Sequence, residues 1–164
     1  MDISFRTYKK EELAYLMDIW NDILEDGIAF PGDVLYDETG FEKMLKDQTG
    51  VTCVLVNQEV AGYFILHPNN IGRCSHVANA SYAIAKKYRG HKLAEPLVKK
   101  SIQQAKEAGF RGIQFNAVVA GNLAAIHTYT KIGFTMVGTI PGGFRLKNGK
   151  YSDMHIMYLP IDQG

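Results

Sequence analysis

The chain has 164 residues, of which 46% are hydrophobic, 21% charged and 11% aromatic. That length suits one domain, residues 1–164, with a core of its own, and the composition excludes a disordered tail, a collagen-like repeat and a low-complexity segment. Lys and Arg number 18 against 17 Asp and Glu, and a formal charge of +1 excludes a global basic field for nucleic acid or an anionic membrane.

Ile3 to Tyr8 alternates as a short strand. Lys10 to Leu24 carries Leu13, Leu16, Met17, Trp20 and Leu24 at helical spacing, and Asp26-Gly27 ends that helix. Ile28 to Asp37 is a loop with the turn signal Pro31-Gly32. Asp37 caps a short helix whose apolar face is Phe41, Met44 and Leu45. Val51–Val56 and Val60–Leu66 are strands flanking a turn at Asn57-Gln58-Glu59. Asn69 to Arg73 is loop, and Ser75–Ile84 is the next strand. A long helix is predicted from about His91 to Ala108, with Leu93, Leu97, Val98, Ile102 and Ala105 inward and Gly109-Phe110 as its stop. Ile113–Val118 is a strand, and Asn122–Ile132 a helix closed by Gly133-Phe134. Phe134–Ile140 and Ser152–Leu159 are final strands around a polar loop, Pro141 to Tyr151. This order predicts an α/β (mixed α+β) fold built on a mixed sheet.

Two cysteines, Cys53 and Cys74, are too few for a disulfide framework and lack paired zinc spacing, so reduced thiols in a cytoplasmic protein are expected. His67, His91, His127 and His155 show no metal-ligand spacing, and no metal is expected. Met1 to Arg6 lacks the charged start and apolar run of a signal peptide. No apolar stretch approaches the ~20 residues of a membrane helix.

One segment stands out chemically. The strand ending at Ile84 runs into the basic loop Lys86-Lys87-Tyr88-Arg89-Gly90-His91-Lys92-Leu93-Ala94, which opens the longest helix. Backbone N–H groups at a helix start lack internal partners and suit an anion such as pyrophosphate. A strand-to-helix turn with a solvated basic surface is the competing reading. Asn122 and Tyr129 form a second pair, seven residues apart and so on one helix face. Asn122 also reads as an N-cap, and Tyr129 as a core aromatic with a wet tip.

Together these segments resemble the GNAT superfamily of N-acetyltransferases from Ile3 to Leu159. Arg89-Gly90-His91-Lys92-Leu93-Ala94 is similar to the family's phosphate loop, Q/R-x-x-G-x-G/A, with Lys92 where the family has its central glycine. Asn122-Leu123-Ala124-Ala125-Ile126-His127-Thr128-Tyr129 and Gly133-Phe134 resemble its N-x-x-A…Y…G-F helix. Trp20 to Pro31 and Gly138 to Asp153 resemble the phosphinothricin acetyltransferase-like subgroup, which acetylates small amino-acid-like amines.

The resemblance implies a mostly antiparallel sheet with helices on both faces, splayed between Ser75–Ile84 and Ile113–Val118. It implies acetyl-CoA as co-substrate, its arm on backbone groups of Tyr82, Ala83 and Ile84, one of them polarising the thioester carbonyl, with a bulge near the strand end to aim them. Arg89 to Ala94 would hold the pyrophosphate, Asn122 would contact the coenzyme, and Tyr129 would protonate the leaving thiolate. Many members place a Glu base on the fourth strand. Alignment on Arg89 puts Ala78 near that position, so deprotonation through water is expected, with Glu25 or Asp26 nearby. Arg145, Lys147 and Lys150 either meet a substrate carboxylate or form a solvated hairpin. The partner expected is a small-molecule amine. An acyl-CoA-binding sensor and a protein lysine or N-terminal acetyltransferase are the alternatives; an open, peptide-width groove would favour the protein acceptor, and a closed pocket roofed by the Ile28–Asp37 loop the small molecule. Dimerisation through the last strands is left open.

Overall fold

The computed structural model describes all residues, 1–164. Its elements in order are β1 (Ile3–Arg6), α1 (Leu13–Asp26), α2 (Glu38–Lys46), β2 (Gly50–Val56), β3 (Glu59–Pro68), β4 (Val77–Ile84), α3 (Ala94–Glu107), β5 (Gly112–Val119), α4 (Leu123–Ile132), β6 (Thr135–Arg145) and β7 (Tyr151–Pro160). The seven strands form one sheet in the order β1-β2-β3-β4-β5-β7-β6. Every pairing is antiparallel except β4 with β5.

The sheet buries both faces because its central strands are apolar on both sides. Tyr63 and Ile65 of β3 pack with Leu16, Trp20 and Phe41 of α1 and α2. Phe64 and Leu66, the alternate residues, pack with Leu97 and Val98 of α3 and Phe134 after α4. Helices on both faces are thus what period-2 alternation in a doubly buried strand requires.

Several boundaries differ from the sequence expectation. β1 stops at Arg6, whose guanidinium grips Glu12 through two 2.8 Å bonds, so the chain turns before Tyr8. Lys10–Glu12 forms a 3-10 turn, and α1 starts only at Leu13. It runs on to Asp26, where Gly27 caps it at φ +63. The β2–β3 turn is tighter than expected: Asn57 and Gln58 sit at φ 49 and 71, the two-residue turn that matches strand twist. β4 starts at Val77, because Gly72–Cys74 is a 3-10 turn. α3 begins at Ala94 and not His91, since Lys92 has φ +59 and cannot be helical. The expected loop from Pro141 shrinks: β6 continues to Arg145 through irregularities at Met136/Gly138 and Ile140/Phe144. Pro141, which has no N–H to give a ladder, falls inside the second of them.

Cys53 is buried and its thiol is pushed up to about 12, chiefly by desolvation, whereas Cys74 is exposed. Titration of the native protein with a thiol-specific disulfide reagent at pH 8 is therefore expected to modify one cysteine quickly. The second should react only after unfolding in guanidinium chloride.

Candidate active site

The site begins where the sheet divides. β4 and β5 pair only at Val77 with Gly112 and Ala78 with Ile113, then part. The next rung is filled by a side chain, the Asn79 amide donating to the Gln114 carbonyl at 3.0 Å. The expected bulge lies on β5, between Phe115 and Val118, and not on β4, whose register with β3 is unbroken. An extra residue in β5 bends that strand away and keeps the fork open.

Alternation decides which β4 groups face the fork. Asn69 N–H donates to the Val77 carbonyl and Ala85 N–H to the Ala61 carbonyl, each at 2.8 Å. With the β3–β4 register, these bonds fix the odd-numbered residues as those paired with β3. The backbone groups of Ala80, Tyr82 and Ile84 therefore turn into the fork. Ala83 does not: its backbone is committed to Tyr63, which corrects the run Tyr82–Ile84. Ala80 was missed, although strict alternation back from Tyr82 would have found it.

A cleft of about 970 Å³ is lined from both faces of the sheet and meets at the fork. On the α3/α4 face its walls include Tyr82, Phe115, Val118 and Tyr129, all in or against the core on that side. On the α1/α2 face they include Trp20, Phe30, Ile65, His67, Asn79 and Asn116. Ala78 points to the α3 side and is fully buried, so Asn79 is the first β4 side chain beyond the fork to face α1 and α2. Sequence reading placed Ala78 there and missed His67, Asn69 and Asn116 as lining residues. Their signal is parity: His67 lies two residues from Ile65, on the same face.

Tyr129 comes from the second turn of α4, and its ring packs on Phe115 at 4.4 Å, Phe134 at 5.7 Å and Tyr82 at 6.3 Å. Desolvation drives the phenols of Tyr129 and Tyr82 above their ordinary range, so both stay protonated at neutral pH. The two hydroxyls are not equivalent. Ser101 Oγ donates to the Val98 carbonyl at 2.6 Å, so it accepts from Tyr82 Oη at 2.7 Å, and the Tyr82 proton is engaged. Tyr129 Oη has no hydrogen-bond partner in the chain. Asn122 caps α4, its Oδ1 accepting from Ala125 N–H at 3.3 Å, and also lines the cleft.

The loop before α3 keeps its donors. The N–H groups of Gly90, Lys92, Leu93 and Ala94 have no acceptor within the chain. Arg89, Gly90 and Ala94 line the cleft; Leu93, its side chain in the core, offers only backbone, and His91 is exposed, edge-on to Tyr88, with its N–H already donated to the Tyr88 carbonyl at 3.3 Å. Three of the four loop cations are already paired: Lys86 with Asp22 at 3.6 Å, Lys87 with Glu59, and Arg89 with Asp26 at 3.1 Å. Lys92 is unpaired and holds, at φ +59, a conformation usual for glycine. The lysine thus preserves the loop backbone and adds a charge. Lys92→Met is expected to weaken binding of a pyrophosphate-bearing ligand at this loop by about fivefold, the size of one exposed ion pair. The check is calorimetric titration at two salt concentrations, and the loss should shrink in high salt.

The two carboxylates expected near the acceptor are separated. Glu25 is exposed and lines a neighbouring groove with Gly27, Phe30 and Lys147. Asp26 lines the main cleft, held by Arg89. The roof is the loop after α1. Phe30 lies 4.5 Å from Trp20, and Asn21 clamps Tyr36 through Nδ2 to its carbonyl at 3.0 Å and Oδ1 from its N–H at 2.9 Å. Lys147 N–H reaches the Gly27 carbonyl at 3.1 Å, joining the roof to the β6–β7 hairpin, and Arg145 lies 3.8 Å from Asp33. No three His, Cys, Asp or Glu side chains converge as a metal would need.

Residues 13–134 match the sequence pattern of the acetyltransferase (GNAT) family. The chain is 27% identical over 175 aligned positions to N-acetyltransferase aca1 of Schizosaccharomyces pombe, covering 95% of this chain and 84% of that one. It superposes on a GCN5-related N-acetyltransferase from Kribbella flavida with TM-score 0.89 at 27% identity, over 97% and 98% of the two chains. It also shares its fold with a phosphinothricin acetyltransferase from Sinorhizobium meliloti, solved with AcCoA (TM-score 0.91, 18% identity, 100% and 91% covered).

Proposed function

The chain belongs to the GNAT family of acetyltransferases, and from that premise we propose that it moves an acetyl group from acetyl-CoA to the primary amine of a small amino-acid-like molecule, within the single domain 1–164. Four N–H groups without acceptors, beside the unpaired Lys92, fit a pyrophosphate. The backbone edge of Ala80, Tyr82 and Ile84 fits an amide-bearing arm in the fork. Acetyl-CoA supplies the activated acyl group, and the chain's residues orient it and handle protons.

The observation that carries the reading is the pairing of that open backbone edge with the free, protonated hydroxyl of Tyr129. One β4 N–H polarises the thioester carbonyl. The amine arrives from the α1/α2 face and attacks directly, forming the C–N bond as the C–S bond breaks. Tyr129 gives its proton to the departing sulfur, and Asn122 holds the arm near α4. The roof, pinned at Trp20, Asn21 and Gly27, favours a small molecule over a peptide.

The test is calorimetric binding of acetyl-CoA, then coenzyme A release with a panel of free amino acids, polyamines and peptides. Release with free amino acids and not with peptides is the expected result. Release only with peptides would move the acceptor to protein, and binding without release to any amine would leave a sensor.

A further inference from the structure

The proton that must leave the acceptor amine has no free carboxylate to take it: β4 carries none, Glu25 lines a neighbouring groove and Asp26 is paired with Arg89. We propose that His67 takes it. This assignment rests on the N-acetyltransferase reading above.

His67 stands near the end of β3, in register with Asn79, the first β4 residue past the fork. Neighbouring strands lie about 4.8 Å apart, so the imidazole is one strand from the opening. It is half-buried in the wall of the α1/α2-side chamber. Its Nδ1 lies 2.9 Å from the Pro68 carbonyl oxygen. A carbonyl can only accept, so Nδ1 carries the hydrogen and the neutral ring has a bare lone pair on Nε2. Nothing else in the chain bonds to that ring. The backbone thus presets the tautomer a base needs.

The other ionisable groups of the cleft are unsuited. Asp26 and Asp33 line the cleft but each is paired, with Arg89 at 3.1 Å and with Arg145 at 3.8 Å. Tyr82 and Tyr129 are phenols that burial keeps protonated at neutral pH, and Tyr36 is clamped through its backbone by Asn21. The polar groups beside His67 are carboxamides: Asn69 Oδ1 accepts from Asn79 Nδ2 at 3.2 Å and from Asn116 Nδ2 at 2.6 Å. Ser81 is the remaining polar side chain on that face of β4, and it carries no charge. His67 is the one imidazole that lines the cleft.

The protons balance as follows. The acceptor ammonium gives one proton to His67 Nε2, and the freed lone pair forms the C–N bond as the C–S bond breaks. Tyr129 protonates sulfur, and the second proton on nitrogen returns to the Tyr129 oxygen. His67 then loses its proton to solvent. The products are amide, thiol and one released proton.

Two measurements test this. Long-range 1H–15N NMR of the free protein reads the His67 tautomer; hydrogen on Nδ1 is expected, and hydrogen on Nε2 would overturn the assignment. Steady-state kinetics then use acetyl-CoA and whichever free L-amino acid gives most coenzyme A release. His67→Gln is expected to lower kcat/KM about 100-fold at pH 7. The deficit should close about tenfold per pH unit toward the amine's own titration, because solvent then supplies the free base. Acetyl-CoA affinity should stay within twofold, and added imidazole should revive His67→Ala. A His67→Gln enzyme that binds acetyl-CoA and keeps the wild-type rate and pH profile refutes the role of His67 alone. A wild-type protein that acetylates no amine refutes the enzymatic reading itself.

Discussion

Tyr129→Phe is expected to lower kcat by roughly 10²-fold or more while acetyl-CoA affinity changes little. The substitution removes one hydroxyl that has no partner in the chain and leaves the ring on Phe115 and Phe134. No buried acceptor is orphaned, so stability should hold within about 1 kcal/mol. A loss confined to kcat separates the proton donor from a packing aromatic. The pH dependence has a definite sign. Burial raises the Tyr129 phenol above its ordinary range, so the acid form survives beyond pH 10 and its ionisation gives no alkaline limb below that. The same burial raises Tyr63 and Tyr82. A raised folded-state value contributes stability that is fully present below about pH 10 and lost as pH rises above it. Denaturant midpoints should therefore be flat through neutrality and fall in alkali, and less steeply in Tyr129→Phe.

Gly62→Ala carries the largest expected cost in stability. A Cβ on Gly62 would lie 2.5 Å from the Ala83 carbonyl oxygen and 3.1 Å from Ile84 Cα. Both are backbone of β4, so no side-chain rotation relieves the contact, and the β3–β4 pair must separate. About 3 kcal/mol is expected, or a fall in Tm of roughly 6–12 °C for a chain of this size. The strain falls on the β4 segment whose N–H groups edge the fork. Coenzyme A binding should weaken with stability, whereas Lys92→Met should weaken it with Tm unchanged. Differential scanning calorimetry beside titration distinguishes the two.

The features legible in the sequence are those that local chemistry dictates. The helical spacing from Leu13 to Leu24, the Asp37 and Asn122 caps and the stop at Gly133-Phe134 each follow from one turn of chain. Expectation failed where distant parts of the chain meet. The α3 start moved to Ala94 because Lys92 adopts a glycine-like φ to keep the loop open. The final loop shortened because bulges let β6 run past Pro141.

Electrostatics of the site shifted for the same reason. Lys86, Lys87 and Arg89 read as free charge along the chain, but the fold sets Asp22, Glu59 and Asp26 against them. Glu25 and Asp26 are adjacent in sequence, yet the helix turns one to an outer groove and the other to Arg89.

By itself the sequence determined the order of elements, the phosphate-loop and α4 segments, and through them the family resemblance, because each is written in a few consecutive residues. Only the tertiary structure decided which face each strand residue presents and which charges remain unpaired. It turned Ala83 to β3 and opened Ala80, Tyr82 and Ile84 to the fork. It also set His67 beside Asn79. Strand register is fixed by burial on two faces at once, and no single segment holds that information.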